Sequence, residues 1–380
     1  MQEFIKRLST KVRDSVLCTG GLLYLLHSPL SFTSNEQLSN IKNNISHQEQ
    51  QLNTLQTHLK KQEQSISSFA TKIHNTSATL KLLETDIVSL NRESQHLKQL
   101  RLGQIKLLKK LLNNQYRQGK HSQLNTFLSE ENSSVIDRMT VYAKYLSKAR
   151  THAINTLSTT DTELELKYHM LAEQTRKQTV LLSVLTSVQT KLKKEQGTQQ
   201  KTVNAIQYQI RSNKGYLSEL RNNESRFKIE LEEATKKTHI SVGKAHIKME
   251  GLGKYKGHLS SPVKGKVLHS FGSVQTGKLL WSGIVISAKK GAEVNAAHDG
   301  TVVLSNWLRG YGLMVVIDHG KGDMSSYGYN QALLKKVGDT VKAGDAIALV
   351  GNSGGQTNTG LYFEIRRKGN ATNPSPWLVR

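Results

Sequence analysis

The chain has 380 residues, of which 36% are hydrophobic and only 6% aromatic. This composition argues against a single globular core of that length, because apolar burial must offset the entropy lost when a chain is ordered. The formal net charge is +24; residues 261–380 hold 14 Lys or Arg and 7 Asp or Glu, so +7 lies there and +17 upstream. The upstream charge is spread along predicted helices and not clustered, which favours a solvated Lys-rich surface over a dedicated site for nucleic acid, anionic lipid head groups or acidic polymers.

Residues 1–34 predict a secretory signal. Four basic residues precede an apolar run, Val16–Leu26, and small and polar residues follow it. This order is typical of a signal peptide, and the run is short for a bilayer span. We expect cleavage near Thr33 or Ser34, with an uncleaved membrane anchor as the alternative. The one cysteine, Cys18, lies in this segment, so no thiol chemistry is expected after cleavage.

A heptad repeat predicts the first coiled-coil helix over residues 35–100, within a stretch (30–261) that contains no proline. One heptad position holds Leu38, Ile45, Leu52, Leu59, Ile66, Ile73, Leu80 and Ile87. The position three residues later holds Ile41, Gln48, Leu55, Gln62, Phe69, Thr76, Leu83, Leu90 and Leu97. The polar members of the second set are typical of positions that fix helix register or pairing.

A weaker heptad track predicts a second coiled-coil helix over residues 161–235. Its apolar members are Leu164, Leu171, Leu185, Leu192, Ile206, Leu220 and Phe227. Two long helices of similar length favour an antiparallel hairpin, and parallel dimerisation remains the alternative. Between them, residues 101–160 contain a break at Gly119 and the aromatic residues Tyr142 and Tyr145, which predict a compact helical cap at the hairpin tip. An exposed tip suits a docking partner.

Residues 236–260 are rich in Gly and Lys and predict a linker or regulatory arm. Short Val- and Ile-rich runs bounded by turn residues follow, so residues 261–380 predict a small all-β domain. The candidate strands are Gly283–Ser287, Gly300–Leu304, Leu313–Asp318, Ala346–Val350 and Leu361–Arg366. The predicted fold class is therefore multidomain: a long antiparallel coiled-coil hairpin with a helical tip, followed by a β-sheet domain.

The order and spacing of several strings in the β domain resemble the LytM (M23) family of zinc peptidases, which cut peptidoglycan cross-bridges. The strings are Gly291–Val303, Val316–Gly320, Ser326–Tyr329, Val337–Asp345, Val350–Gly355 and Gly360–Ile365. The resemblance covers residues 262–378 and implies a LytM-like sheet.

The same resemblance assigns the metal-ligand positions of the family to Trp281, Val285 and Tyr362, and its two catalytic histidine positions to Gly360 and Tyr329. None of these residues is a His or an Asp. A catalytic zinc site usually takes three protein ligands, and without the metal nothing lowers the pKa of the attacking water. We therefore expect no catalytic residue, no metal, no cofactor and no peptidase activity.

Alternate residues of a strand share a face, so the substrate groove of the family becomes a groove rich in aromatic side chains. Its predicted lining is Trp281, Ser282, Val285, Tyr311, Met314, Tyr327, Tyr329, Tyr362, Glu364 and Arg366. Tyr, Trp, Met and Arg are enriched at protein interfaces, so the groove predicts a protein-binding site. The alternative is that these side chains simply fill a dead active site.

The complete layout, and strings such as Tyr327–Asn330 and Tyr362–Arg367, are similar to murein hydrolase activators. This resemblance implies a non-enzymatic activator of periplasmic N-acetylmuramoyl-L-alanine amidases at the division septum, recruited through its coiled-coil tip by the inner-membrane FtsEX complex. A peptidoglycan endopeptidase with residual activity and a passive peptidoglycan-binding scaffold are the alternatives. These activators cover the groove with a restraining arm, and the shortness of residues 236–260 here calls self-inhibition into question.

Overall fold

The computed structural model describes residues 32–119, 133–212, 216–241, 249–276 and 279–379. The predicted signal segment lies, up to residue 31, outside these ranges. The chain divides into two compact units, residues 1–51 and 52–380. Within the described ranges, no helix combines the length and apolar character needed to cross a membrane.

Three helices precede the β domain: α1 Phe32–Gly119, α2 Ser133–Ser212 and α3 Tyr216–Ser241. Cross-helix contacts show that α1 and α2 run antiparallel, because residue numbers fall along one helix as they rise along the other. Lys167 Nζ lies 2.6 Å from Glu93 Oε2, and Gln199 Nε2 donates to Glu63 Oε1 at 3.0 Å. The predicted antiparallel hairpin is confirmed.

The heptad residues form the seam of this hairpin. Leu59, Ile66 and Leu90 are buried on α1, and Leu164 and Ile206 are buried on α2. Burial of one stripe on each helix offsets the entropy of ordering two helices that have little other core.

Of the helical cap predicted at residues 101–160, residues 120–132 lie outside the described ranges, so the cap stays a prediction. The described parts on either side are continuous helix: α1 continues to Gly119 and α2 begins at Ser133, and Tyr142 and Tyr145 are 61% and 70% exposed. Their spacing leaves them outside the seam, so they face solvent along the helix. The predicted second coil (161–235) falls on two helices, because α2 ends at Ser212 and the described chain resumes with α3 at Tyr216; residues 213–215 lie outside the described ranges.

The β domain is built from antiparallel strands. They are β1 Lys266–His269, β2 Val274–Thr276, β3 Leu279–Leu280, β4 Ile284–Ser287, β5 Glu293–Asn295, β6 Gly300–Leu308, β7 Gly312–Asp318, β8 Asp323–Asn330, β9 Ala332–Leu333, β10 Thr340–Val341, β11 Ala346–Leu349, β12 Leu361–Arg367 and β13 Asn370–Thr372. The main sheet has the order β1-β4-β12-β8-β7-β6-β10, with β13 paired to β12. A smaller sheet has the order β5-β11-β9, and β2 pairs with β3.

The two faces of the main sheet bury different clusters. One face carries the domain core, which includes Ile317 and Phe363. The other face carries Val285, Met314 and Tyr362. Because successive strand residues point to opposite faces, neighbours such as Tyr362 and Phe363 belong to different clusters.

Candidate functional site

Aromatic side chains gather around Tyr362 on the second face of the main sheet. The ring centroids of Tyr311, Tyr329 and Trp281 lie 5.2, 5.6 and 6.4 Å from that of Tyr362. Val285 pairs directly with Tyr362 across β4 and β12, and Met314 is fully buried beside them. The sheet therefore brings six predicted groove residues, from four strands and two loops, into one surface.

The backbone at Tyr329 is unusual, and it sets the position of this aromatic ring. Its φ is 65°, a left-handed conformation that costs a non-glycine residue on the order of 1 kcal/mol or more. The Tyr329 amide donates to the Tyr311 carbonyl at 2.8 Å, which holds the two groove tyrosines together. Such strain is typical of functional positions, and this is the position of a catalytic histidine in the LytM resemblance.

The prediction for Tyr327 is wrong, because this side chain lies on the opposite face of the sheet. Its ring packs on Phe363 with a centroid distance of 5.3 Å, and its hydroxyl accepts a hydrogen bond from the Ala297 amide at 2.9 Å. Burial raises the pKa of Tyr327 to about 12. The register explains the placement: Tyr327 pairs with Phe363, whereas Tyr362 pairs with Gly328.

One end of the groove contains a buried ion pair. Arg366 Nε lies 2.6 Å from Glu364 Oε1, without the alignment of a hydrogen bond, and the Tyr362 hydroxyl donates to Glu364 Oε2 at 2.6 Å. Burial raises the pKa of Glu364, and Arg366 acts in the opposite direction. Burial also raises the pKa of Tyr362. The guanidinium thus compensates a carboxylate that no water reaches.

The groove is covered by α3. Phe227 and Leu231, one turn apart on one face of that helix, are 1% and 6% exposed and belong to the groove cluster. The Phe227 ring lies 5.0 Å from the Tyr311 ring, and the Arg366 guanidinium lies 4.8 Å above the Phe227 ring. The groove that was expected to be open is therefore filled by the chain's own helix.

A close contact between an α3 side chain and the backbone of the β domain fixes where α3 lies. Asn223, one turn before Phe227, is buried against Gly310; a Cβ atom at Gly310 would lie 2.6 Å from Asn223 Nδ2. At the edge of α3 a small cleft remains between Asn223, Trp281 and Ser282. The residues of α3 that cover the groove, from Asn223 to Leu231, precede residues 236–260, so the shortness of that segment was the wrong feature from which to question self-inhibition.

The positions that hold zinc or act in catalysis in the LytM resemblance lie together, but none of the residues at them is a His or an Asp. A Cβ at Gly360 would lie 3.4 Å from the Val285 side chain, and Val285 pairs with Tyr362. Among the described residues no group of three His, Cys, Asp or Glu side chains is arranged to hold a metal ion. His319 is part of the framework: its ring nitrogens contact the Asp299 carbonyl and Ser325 Oγ, each at 2.7 Å, and burial lowers its pKa to about 4.

Comparison with known proteins agrees with this geometry. The model of peptidase family M23 matches residues 280–374. The murein hydrolase activator EnvC of Escherichia coli (strain K12) is 38% identical over 339 residues, which cover 81% of each chain. The chain belongs to the EnvC family of murein hydrolase activators.

Other proteins match a smaller part of this EnvC-family chain. The murein hydrolase activator NlpD of Escherichia coli (strain K12) is 41% identical over 118 residues, 31% of this chain and 30% of NlpD. Among solved structures, the catalytic domain of the prophage-encoded M23 protein EnpA from Enterococcus faecalis is 29% identical. The match covers 32% of this chain and 97% of that domain, with a TM-score of 0.28.

The EnvC-family hairpin is also attached to the β domain, through a carboxylate that sequence reasoning missed. Glu63 of α1 is fully buried and accepts hydrogen bonds from Trp307 Nε1 at 2.5 Å, the Gly354 amide at 2.9 Å and Gln199 Nε2 at 3.0 Å. Burial raises the pKa of Glu63 to about 7, although these donors act to lower it. Glu63 is one acidic residue among many polar residues of the coiled coil, so the sequence does not indicate that it contacts the β domain.

The Glu63 contact is one loop away from the groove. Gly354 lies against the Tyr311–Gly312 turn, where a Cβ at Gly354 would be 2.4 Å from the Gly312 nitrogen. Ser353 Oγ accepts a hydrogen bond from the Leu313 amide at 2.9 Å. The hairpin thus holds the loop that supports a groove tyrosine.

Proposed function

We propose that the chain activates periplasmic N-acetylmuramoyl-L-alanine amidases during septal cell-wall splitting, and that it does so without hydrolysing peptidoglycan itself. Two findings support this proposal. Two relatives, one matching 81% and one matching 31% of the chain, are named murein hydrolase activators. The groove of the β domain has an apolar, aromatic lining, which suits binding of a protein segment better than it suits hydrolysis.

The observation that carries the proposal is the way α3 occupies the groove. Phe227 and Leu231 enter the groove from one helix face, and Arg366 lies over the Phe227 ring. The groove therefore fits an amphipathic helix with two apolar side chains four residues apart. We infer that an amidase segment with this pattern replaces α3, and that activation requires α3 to leave.

The hairpin supplies the second half of the proposed function. Its tip binds the inner-membrane FtsEX complex through side chains such as Met139 and Tyr142, which are 58% and 61% exposed. Because Glu63 joins the hairpin to the loop that supports Tyr311, movement of the hairpin reaches the edge of the groove. The chain would act in the periplasm at the division septum, with peptidoglycan as a further contact.

The test adds the purified chain to an amidase and dye-labelled peptidoglycan. We expect little dye release with the wild type, more with Phe227→Ala, and a loss of that gain when Trp281→Ala is added. Val337→Ala is the matched control, because Val337 is an apolar residue of the same domain that is 55% exposed and remote from the groove.

Three results would count against the proposal. Dye release that stays at the amidase-only level with every variant rejects activation. Chelator-sensitive release of cross-bridge peptides by the chain alone favours the endopeptidase alternative. Sedimentation with peptidoglycan without any stimulation favours a passive scaffold.

A further inference from the structure

The expectation that the positive charge is spread evenly along the helices is wrong: it is concentrated at the end of the hairpin farthest from the Glu63 contact. Residues 98–118 and 133–152, here called the distal hairpin, contain ten Lys or Arg and one acid, Asp137, for a net charge of +9. Residues 52–97 of α1 contain five Lys or Arg and four Asp or Glu, for a net charge of +1. Coiled-coil packing needs apolar residues only at the seam, so it does not explain this difference in charge at the outer positions.

On α1, basic side chains of the distal hairpin share a face with an apolar one. Leu102, Lys106 and Lys109 follow one another at intervals of four and three residues, which places them on one side of the helix. Leu102 is 52% exposed, and both lysines are exposed. Exposed apolar residues also occur elsewhere on the two helices, such as Leu82 at 68% and Val180 at 54%, but Leu102 lies beside lysines in a segment of net charge +9.

The same arrangement recurs on α2. Val141, Tyr145 and Lys148 have the identical spacing, and Val141 and Tyr145 are 51% and 70% exposed. Each helix of the distal hairpin therefore presents a mixed apolar and cationic face outside the seam.

We propose that the distal hairpin binds the surface of an anionic phospholipid bilayer. Lysines near such a surface are attracted by its negative potential, and apolar side chains beside them enter the boundary between head groups and acyl chains. Tyrosine suits this boundary because its ring is apolar and its hydroxyl is polar. A soluble polyanion would engage the lysines and leave Leu102, Val141 and Tyr145 in water, so the mixed faces favour the membrane.

The experiment measures co-sedimentation of the full chain with vesicles at 0.15 M salt. The vesicles contain either phosphatidylcholine alone or a mixture with phosphatidylglycerol. We expect binding to increase with the phosphatidylglycerol fraction and to weaken as salt is raised. All variants keep the apolar run at residues 16–26, so differences between variants report the distal hairpin.

Two pairs of adjacent lysines provide a matched comparison. Lys109→Gln/Lys110→Gln should weaken binding to the mixed vesicles about thirtyfold, the effect of two lysine contacts of about 1 kcal/mol each. Lys193→Gln/Lys194→Gln makes the same change at exposed positions outside the distal hairpin and should weaken binding less than threefold. Tyr145→Ala should weaken binding several-fold without changing its dependence on salt.

The inference is overturned by equal losses from the two lysine pairs, since overall charge would then explain the binding. It is also overturned if Tyr145→Ala has no effect, or if the chain binds a soluble acidic polymer or an acidic protein but not the mixed vesicles. None of these readouts involves an amidase, so the outcome is independent of the proposed activation.

Discussion

Substitution of Phe227 by alanine should release α3 from the groove. The Phe227 side chain is 1% exposed and contacts the Tyr311 ring and the Arg366 guanidinium only while α3 is docked. Buried Phe→Ala changes cost about 3–5 kcal/mol. Alanine is also a better helix former than phenylalanine, so the cost falls on docking and not on the helix.

This cost converts into a measurable population shift. A loss of about 3 kcal/mol changes the ratio of docked to released α3 on the order of a hundredfold, and about 5 kcal/mol changes it a few thousandfold. Hydrogen–deuterium exchange of the α3 amides should accelerate by that factor, and exchange at the groove edge near Tyr311 should follow. The amidase dye-release assay should rise in parallel.

The matched control is Ile229→Ala, because Ile229 is an apolar residue of α3 that is 57% exposed. It should change neither exchange nor dye release by more than about twofold. Equal effects of the two substitutions, or unchanged α3 exchange in Phe227→Ala, would refute the idea that this face holds the helix in the groove.

Three further predictions concern pH, backbone and charge. The pKa of Glu63 is raised from 4.5 to about 7 in the folded protein. Its contribution to stability is therefore full below about pH 4.5 and is lost as the pH rises through about 7, a change of about 3 kcal/mol in the free energy of unfolding. Thermal unfolding between pH 4 and 8 should show this loss, and Glu63→Gln should flatten it; an identical pH profile for the two proteins would exclude Glu63 as its source. Gly354→Ala should lower the free energy of unfolding in urea by about 2 kcal/mol more than Gly355→Ala. Both glycines have positive φ, but only at Gly354 would the added Cβ meet backbone, at 2.4 Å. Equal losses from the two substitutions would contradict the close approach. Arg366→Ala should destabilise the β domain by about 3–5 kcal/mol because it leaves a buried carboxylate unpaired, whereas exposed Lys342→Ala should have little effect; a loss below 1 kcal/mol would mean that the pair is not buried in solution.

Much of the fold could be predicted because its signals are periodic. The heptads that end with Leu97 identified the seam, and the candidate strands from Gly283–Ser287 to Leu361–Arg366 all overlap strands of the structure. A repeat in sequence reports which side of an element is buried, and burial is what holds the element in place. The predicted LytM-like sheet and antiparallel hairpin were therefore within reach of sequence reasoning.

The errors have a common physical cause. Phe227 continues the heptad track, yet its partner is Tyr311 of the β domain and not a residue of α1. Periodicity says that a face is apolar but not which surface will cover it. Tyr327 was assigned to the groove because it belongs to the same string as Tyr329, but its register against Phe363 places it in the core.

The amino-acid sequence alone is enough to predict the two kinds of architecture, the absence of His and Asp at Trp281 and Val285, and the aromatic character of the groove. That α3 fills the groove and that Glu63 fastens the hairpin to the β domain follow from the folded structure alone. The first set depends on local pattern and on the chemistry of single side chains. The second depends on contacts between residues more than eighty positions apart, such as Phe227 with Tyr311 and Glu63 with Trp307, whose partners become neighbours only when the chain has folded.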